Sequence, residues 1–125
     1  MLNSISAQDG PPRGPDSDGV YTVVQQSAEF PGGIPELHKF VNANLVWPAS
    51  VVESNIKGTV FLKFIISANG IVRNIEILKG IQGCPECDKE AVRVAGIMPN
   101  WKPAQQDGNK VDCYFVLPVK FAPNK

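Results

Sequence analysis

Near the C-terminus, Val111–Phe121 alternates strictly. Val111, Cys113, Phe115, Leu117, Val119 and Phe121 fall on one side of an extended chain. A two-residue apolar period of this length describes a half-buried strand and does not suit a helix. Pro118 lies in the middle of the run, on the opposite side. Proline has no N–H to give to a ladder, so within a sheet it belongs on an edge strand. An edge strand offers unpaired backbone groups that another extended chain can use. The pattern points to a module that binds by strand addition, and away from an enzyme.

Two further strands lie upstream. In Gly58–Ser67, Val60, Leu62, Phe64 and Ile66 share one face while Phe61 and Ile65 occupy the other. Ser67-Ala68-Asn69-Gly70 reads as a hairpin turn, with glycine where a positive φ is needed. Ile71–Lys79 returns antiparallel. Before this hairpin, Val20–Gln25 is a short strand and Glu29-Phe30-Pro31-Gly32-Gly33 a turn. Pro35 opens an amphipathic helix carrying Leu37, Phe40, Val41 and Leu45. Pro48 starts a second, short helix. Asn55 is placed to end it in the left-handed conformation, followed by apolar Ile56. Cys84–Met98 is a third helix, stopped by Pro99. Gln105-Gln106-Asp107-Gly108-Asn109 is expected to be a loop. The order β-α-α-β-β-α-β predicts an α+β two-layer sandwich. Its antiparallel sheet has three main strands plus the short N-terminal one, with helices packed on one face.

A chain of 125 residues, 43% hydrophobic, supports one domain with a modest core. Its formal net charge is zero, so it lacks the basic stripe of a nucleic-acid binder. No run of 18 apolar residues marks a membrane span. Residues 1–19 read as a disordered tail or linker stub. Met1–Ala7 reads either as the remnant of a secretory signal or as an arbitrary boundary. Gln8–Gly19 follows, rich in proline, glycine and aspartate. The folded domain is expected over residues 20–123.

No catalytic set or cofactor motif stands out. His38, the single histidine, falls on a polar helix face. Glu86, Asp88 and Glu90 sit in the first turns of the third helix, where carboxylates complement the helix dipole. Three cysteines and one histidine could compose a Cys3His zinc site. Cys113 on a core face and His38 on an early helix argue against it. Cys84-Pro85-Glu86-Cys87 is the sharpest enzyme-like signal, because a helix N-terminus lowers a thiol pKa. Yet Cys87 belongs to the apolar stripe of its helix, and the motif follows a hairpin where a thioredoxin-like fold has a β-α-β unit. A local disulfide between Cys84 and Cys87 and a pair of buried thiols both fit. Trp101 reads as a core or rim anchor. Trp47, just before a helix start, reads equally as core or as standing at a surface groove.

Taken together, several stretches resemble the C-terminal domain of TonB, in the form common in the Bacteroidetes. They are Glu29-Phe30-Pro31-Gly32-Gly33, Trp47-Pro48, Gly58-Thr59-Val60, the Ser67–Val72 hairpin, Asp88-Lys89-Glu90-Ala91, Met98-Pro99-Asn100-Trp101-Lys102-Pro103 and Leu117-Pro118-Val119-Lys120-Phe121. They span roughly residues 20–122, and their order and spacing carry the resemblance. It implies a periplasmic domain that grips the TonB box of an outer-membrane TonB-dependent transporter by strand addition. It also implies an N-terminal anchor helix, not present here, that couples to the ExbB–ExbD proton channel. Carried over by position, Trp47 and Pro48 would lie beside the bound segment and Asn44 would offer an amide to its backbone. The strand around Tyr114, Val116, Pro118 and Lys120 would be the pairing edge. Domains of this family also exchange strands to form homodimers. Two other readings stand beside this one: a free-standing periplasmic adaptor of the same fold, and a C-x-x-C thiol oxidoreductase.

Overall fold

The computed structural model describes residues 14–122. The expectations for Met1–Ala7 and for the first part of the tail fall outside them. The elements are β1 (Val20–Tyr21), α1 (Ile34–Asn44), α2 (Ala49–Ser54), β2 (Gly58–Ile66), β3 (Val72–Lys79), α3 (Pro85–Gly96), β4 (Ala104–Gln106) and β5 (Asn109–Phe121). The main sheet runs β1-β5-β2-β3, with β4 pairing β5. The fold is the α+β arrangement that the alternation and the helix signals predict, with a mixed sheet.

The two long strands make the centre. β2 and β5 pair antiparallel from Gly58↔Phe121 to Ile66↔Cys113 without a register shift. One face of this ribbon carries Val60, Leu62, Phe64, Ile66, Cys113, Leu117, Val119 and Phe121, all buried. Leu37 and Val41 of α1, Val51 of α2, and Cys87, Ala91, Val94 and Ala95 of α3 complete the core on that side. Burying each large aliphatic or aromatic side chain contributes about 1.5–3 kcal/mol. Trp101 closes one end. Its ring meets Phe115 at 4.9 Å, Phe30 at 5.4 Å and Phe64 at 6.1 Å between centroids, all tilted or edge-on.

The helix boundaries follow their local chemistry. Proline stands in the first turn of both α1 and α3, where its missing N–H costs nothing. Asn55 caps α2 at φ 54° and ψ 43°, and Ile56 N–H donates back to the Val51 carbonyl.

Three expectations need correction. The stretch predicted as a loop at Gln105–Asn109 is instead a hairpin. Gln106 pairs with Asn109 across Asp107 and Gly108, both at positive φ (54° and 80°). That is the two-residue turn whose twist matches its strands. Next, the strand predicted over Val20–Gln25 is confined to Val20–Tyr21. The chain then bends away to bridge Gln26 to Gln105 and Glu29 to Lys102. Finally, β1 runs parallel to β5, with Val20↔Asp112 and Tyr21↔Cys113, so the sheet is not wholly antiparallel. A parallel pair needs a long crossover, and the whole α1–β4 stretch supplies it.

Gly70 is the tightest point of the β2–β3 turn. It sits at φ +82°, and a Cβ there would come within 2.0 Å of the Trp101 carbonyl oxygen. Trp101 N–H in turn donates to the Gly70 carbonyl at 2.7 Å. Gly70→Ala should therefore destabilise the domain by about 2–3 kcal/mol through strain and steric displacement. Chemical denaturation checks this; an unchanged midpoint would show that the turn relaxes freely.

Candidate functional site

The last strand has two sides, and they are used unequally. Its β2 side is filled along its second half. On the opposite side β1 takes up Asp112 and Cys113 and then leaves. Among the described residues no strand pairs with that side of Tyr114–Phe121. The other sheet edge, β3, is built differently. Its register with β2 slips between Phe61 and Leu62 and again between Lys63 and Ile65, and Asn74 adopts φ 55°. Bulges and charged residues such as Arg73, Glu76 and Lys79 are how natural sheets protect an edge. β5 is the regular edge, β3 the irregular one.

Beside the far end of β5 lies a groove of about 380 Å³. His38, Val41 and Asn42 of α1 line it with Leu117, Pro118 and Lys120 of β5, and it reaches Thr59 of β2. Pro118 and Lys120 are expected here from the sequence, whereas His38 and Asn42 are not. Their signal is modest: they stand four residues apart on α1, flanking the stripe of Leu37 and Val41. Val116 is 48% exposed between the groove and Tyr114.

The remaining candidates scatter around this edge. Trp47 is 38% exposed and packs edge-on against Phe121, the last residue of β5, at 5.6 Å. Pro48 lines a separate depression with Val46 and with Glu86, Lys89, Glu90 and Arg93 of α3. Asn44 is turned back on its own helix. Its amide donates to the Phe40 carbonyl of its own helix at 2.8 Å, and its backbone carbonyl accepts from Arg93 at 2.6 Å. It does not line the groove.

Cys84 and Cys87 are disulfide-bonded across the first turn of α3, and both side chains are fully buried. A substrate disulfide cannot reach sulfurs in that position. Cys113 is a free, buried thiol, and burial raises its pKa.

Tyr114, at the start of the open side, is held from outside the sheet. Asp16 forms a tight local turn, accepting from the Asp18 and Val20 N–H groups through Oδ1. Its Oδ2 accepts the Tyr114 hydroxyl. Lys63 Nζ lies 4.2 Å from the centroid of the same ring. The hydrogen bond to Asp16 pushes the Tyr114 pKa up to about 12 and lowers that of Asp16. Residues 14–19, read from sequence as part of the tail, thus include a contact onto β5.

The family model described as Gram-negative bacterial TonB protein C-terminal matches residues 43–123. No curated protein matches the chain. Among solved structures, the chain is similar to the NMR solution structure of Helicobacter pylori TonB-CTD (residues 194–285). The two share 17% identity with a TM-score of 0.53, over 73% of this chain and 94% of that one. At that identity the likeness is one of fold.

The Asp16–Tyr114 contact predicts a specific pH behaviour. Tyr114 has a raised folded pKa, so its stabilisation is complete below the unfolded value near 10 and is lost as pH rises through about 12. Asp16 has a lowered folded pKa, so its share is present above the ordinary carboxylate range and is lost as pH falls through the folded value. Asp16→Ala should return the Tyr114 pKa toward about 10. Titration of the Tyr114 ring resonances by NMR reads it; a value unmoved near 12 would assign the shift to another cause.

Proposed function

The chain belongs to the Gram-negative bacterial TonB protein C-terminal family, and on that premise we propose that it is the periplasmic C-terminal domain of a TonB-type energy transducer. It binds the TonB box of a TonB-dependent outer-membrane transporter as an added strand on β5. It passes on force generated by an ExbB–ExbD complex driven by the proton-motive force. Among the described residues no helix is long and apolar enough to cross a membrane, so the coupling to that complex belongs to a segment outside them.

One observation carries this reading: the unpaired side of Tyr114–Phe121, beside a groove. Pro118 supports it further. It sits opposite Phe61 in an unbroken register, and a proline is tolerated there when its nitrogen faces away from the partner strand. Backbone groups two residues apart share a direction. The donors of Tyr114, Val116 and Lys120 then face the open side. An extended peptide gains affinity from these backbone groups, and selectivity from side chains along its path. His38, Asn42 and Lys120 supply polar contacts, and Trp47 an aromatic anchor at the strand's end.

Titration with synthetic peptides spanning the N-terminal segments of outer-membrane transporters tests the reading, followed through backbone amide shifts. Changes should concentrate on Tyr114–Phe121. Shifts confined to α2 and α3, with β5 silent, would refute strand addition. Val116→Pro should remove one more outward donor while leaving the β2 side paired. The loss is about 1 kcal/mol for the unmade bond, compounded by the ring's clash with an incoming strand. Unchanged affinity in the folded variant would place the peptide elsewhere. Trp47→Ala should cost about 2 kcal/mol of binding and less in unfolding free energy. A variant that loses stability but keeps its affinity per folded molecule would make Trp47 a core residue.

A further inference from the structure

The connector between α1 and α2 is tied to α3 by a charged pair. Glu90 Oε2 accepts the Val46 N–H at 2.6 Å. Arg93 donates to the Asn44 carbonyl at 2.6 Å. The two side chains hold each other in a forked pair, Nε to Oε1 at 2.9 Å and a terminal guanidinium nitrogen to Oε2 at 2.6 Å. Glu90 is only 13% exposed. The Arg93 guanidinium holds the Glu90 carboxyl below the usual range. Beyond the first turn a glutamate gains little from the helix dipole. This one reaches off its helix to a backbone N–H 44 residues away.

The next residue after Val46 is Trp47. Its ring leans on Phe121, and among the described residues no hydrogen bond holds the indole itself. The connector's backbone is therefore what aims the ring. We propose that Glu90 and Arg93 are positioning residues that fix the Asn44–Val46 backbone, hold Trp47 at the end of β5, and so set the affinity of the open edge for its partner. The affinity part of this inference rests on the function proposed above; the placement of Trp47 does not. Charge-assisted bonds in a forked pair have the geometric specificity that this task needs. A surface ion pair alone would contribute little, which makes a positional role the better account of four convergent bonds.

The test reads the Trp47 ring directly. In wild type, nuclear Overhauser contacts should link the Trp47 and Phe121 rings. Glu90→Ala should weaken or abolish them, and lower affinity for the transporter peptides about tenfold, as loss of a charge-assisted bond and a misplaced anchor together imply. Glu90→Gln retains an oxygen that accepts from Val46 and should keep most of both. Val94→Ala is the control: it opens a buried site on α3 and lowers stability, yet should leave the Trp47 contacts intact. Should Glu90→Ala fail to fold, Arg93→Ala, at a more exposed position, gives the same readout. Trp47–Phe121 contacts that persist in folded Glu90→Ala or Arg93→Ala would overturn the inference. Wild-type protein that binds none of the peptides would instead overturn the proposed function, and the ring contacts would still decide the clamp.

Discussion

The structure depends on the unbroken ladder between β2 and β5. It joins the two longest strands in antiparallel register and presents a continuous apolar face to three helices. A one-residue slip of β5 against β2 would turn Leu117, Val119 and Phe121 out to solvent and bring Val116 and Lys120 in. The register is therefore strongly specified by burial alone. A second tie pins its open end: Asp112 of β5 accepts Ala68 N–H from the β2–β3 turn at 2.7 Å and pairs with Arg73 at 2.7 Å.

From that ladder follows the asymmetry of the edges. β3 is attached to β2 by a hairpin and carries two register shifts, so its outward backbone is irregular. β5 keeps its regularity because its inner partner is regular. The sheet thus has one edge of regular register, which among the described residues β1 shields only at its beginning. Near the far end of that edge stand α1, which builds the groove, and Trp47, which leans on Phe121.

Much of this is legible in the sequence because burial writes itself as periodicity. The two-residue period of Val111–Phe121 and Gly58–Ser67 gives both strands and their inward faces. Asn55 reads correctly as a left-handed cap because few residues tolerate that conformation. The failures are of another kind. Ala104–Gln106 is too short and too polar to alternate, although the Asp107-Gly108 turn beside it is itself a hairpin signal. The direction of β1 is set by a crossover and is absent from its own residues. Asn44 has the right chemistry for a partner contact, but its amide finds the Phe40 carbonyl one turn back. His38, Asn42 and Glu90 gain meaning only from elements far away in the chain, and no local pattern announces them.

The open side of β5 is a single seat. Whatever occupies Tyr114–Phe121 excludes every other strand from it, a second copy of this chain included. Self-association through that edge would therefore be competitive with partner capture, governed by mass action. At low local concentration the seat stands free; crowding the molecules together would withdraw seats in pairs. Response to partner would then saturate, or decline, as the amount of protein rises, and availability would be tuned by abundance with no change to any residue.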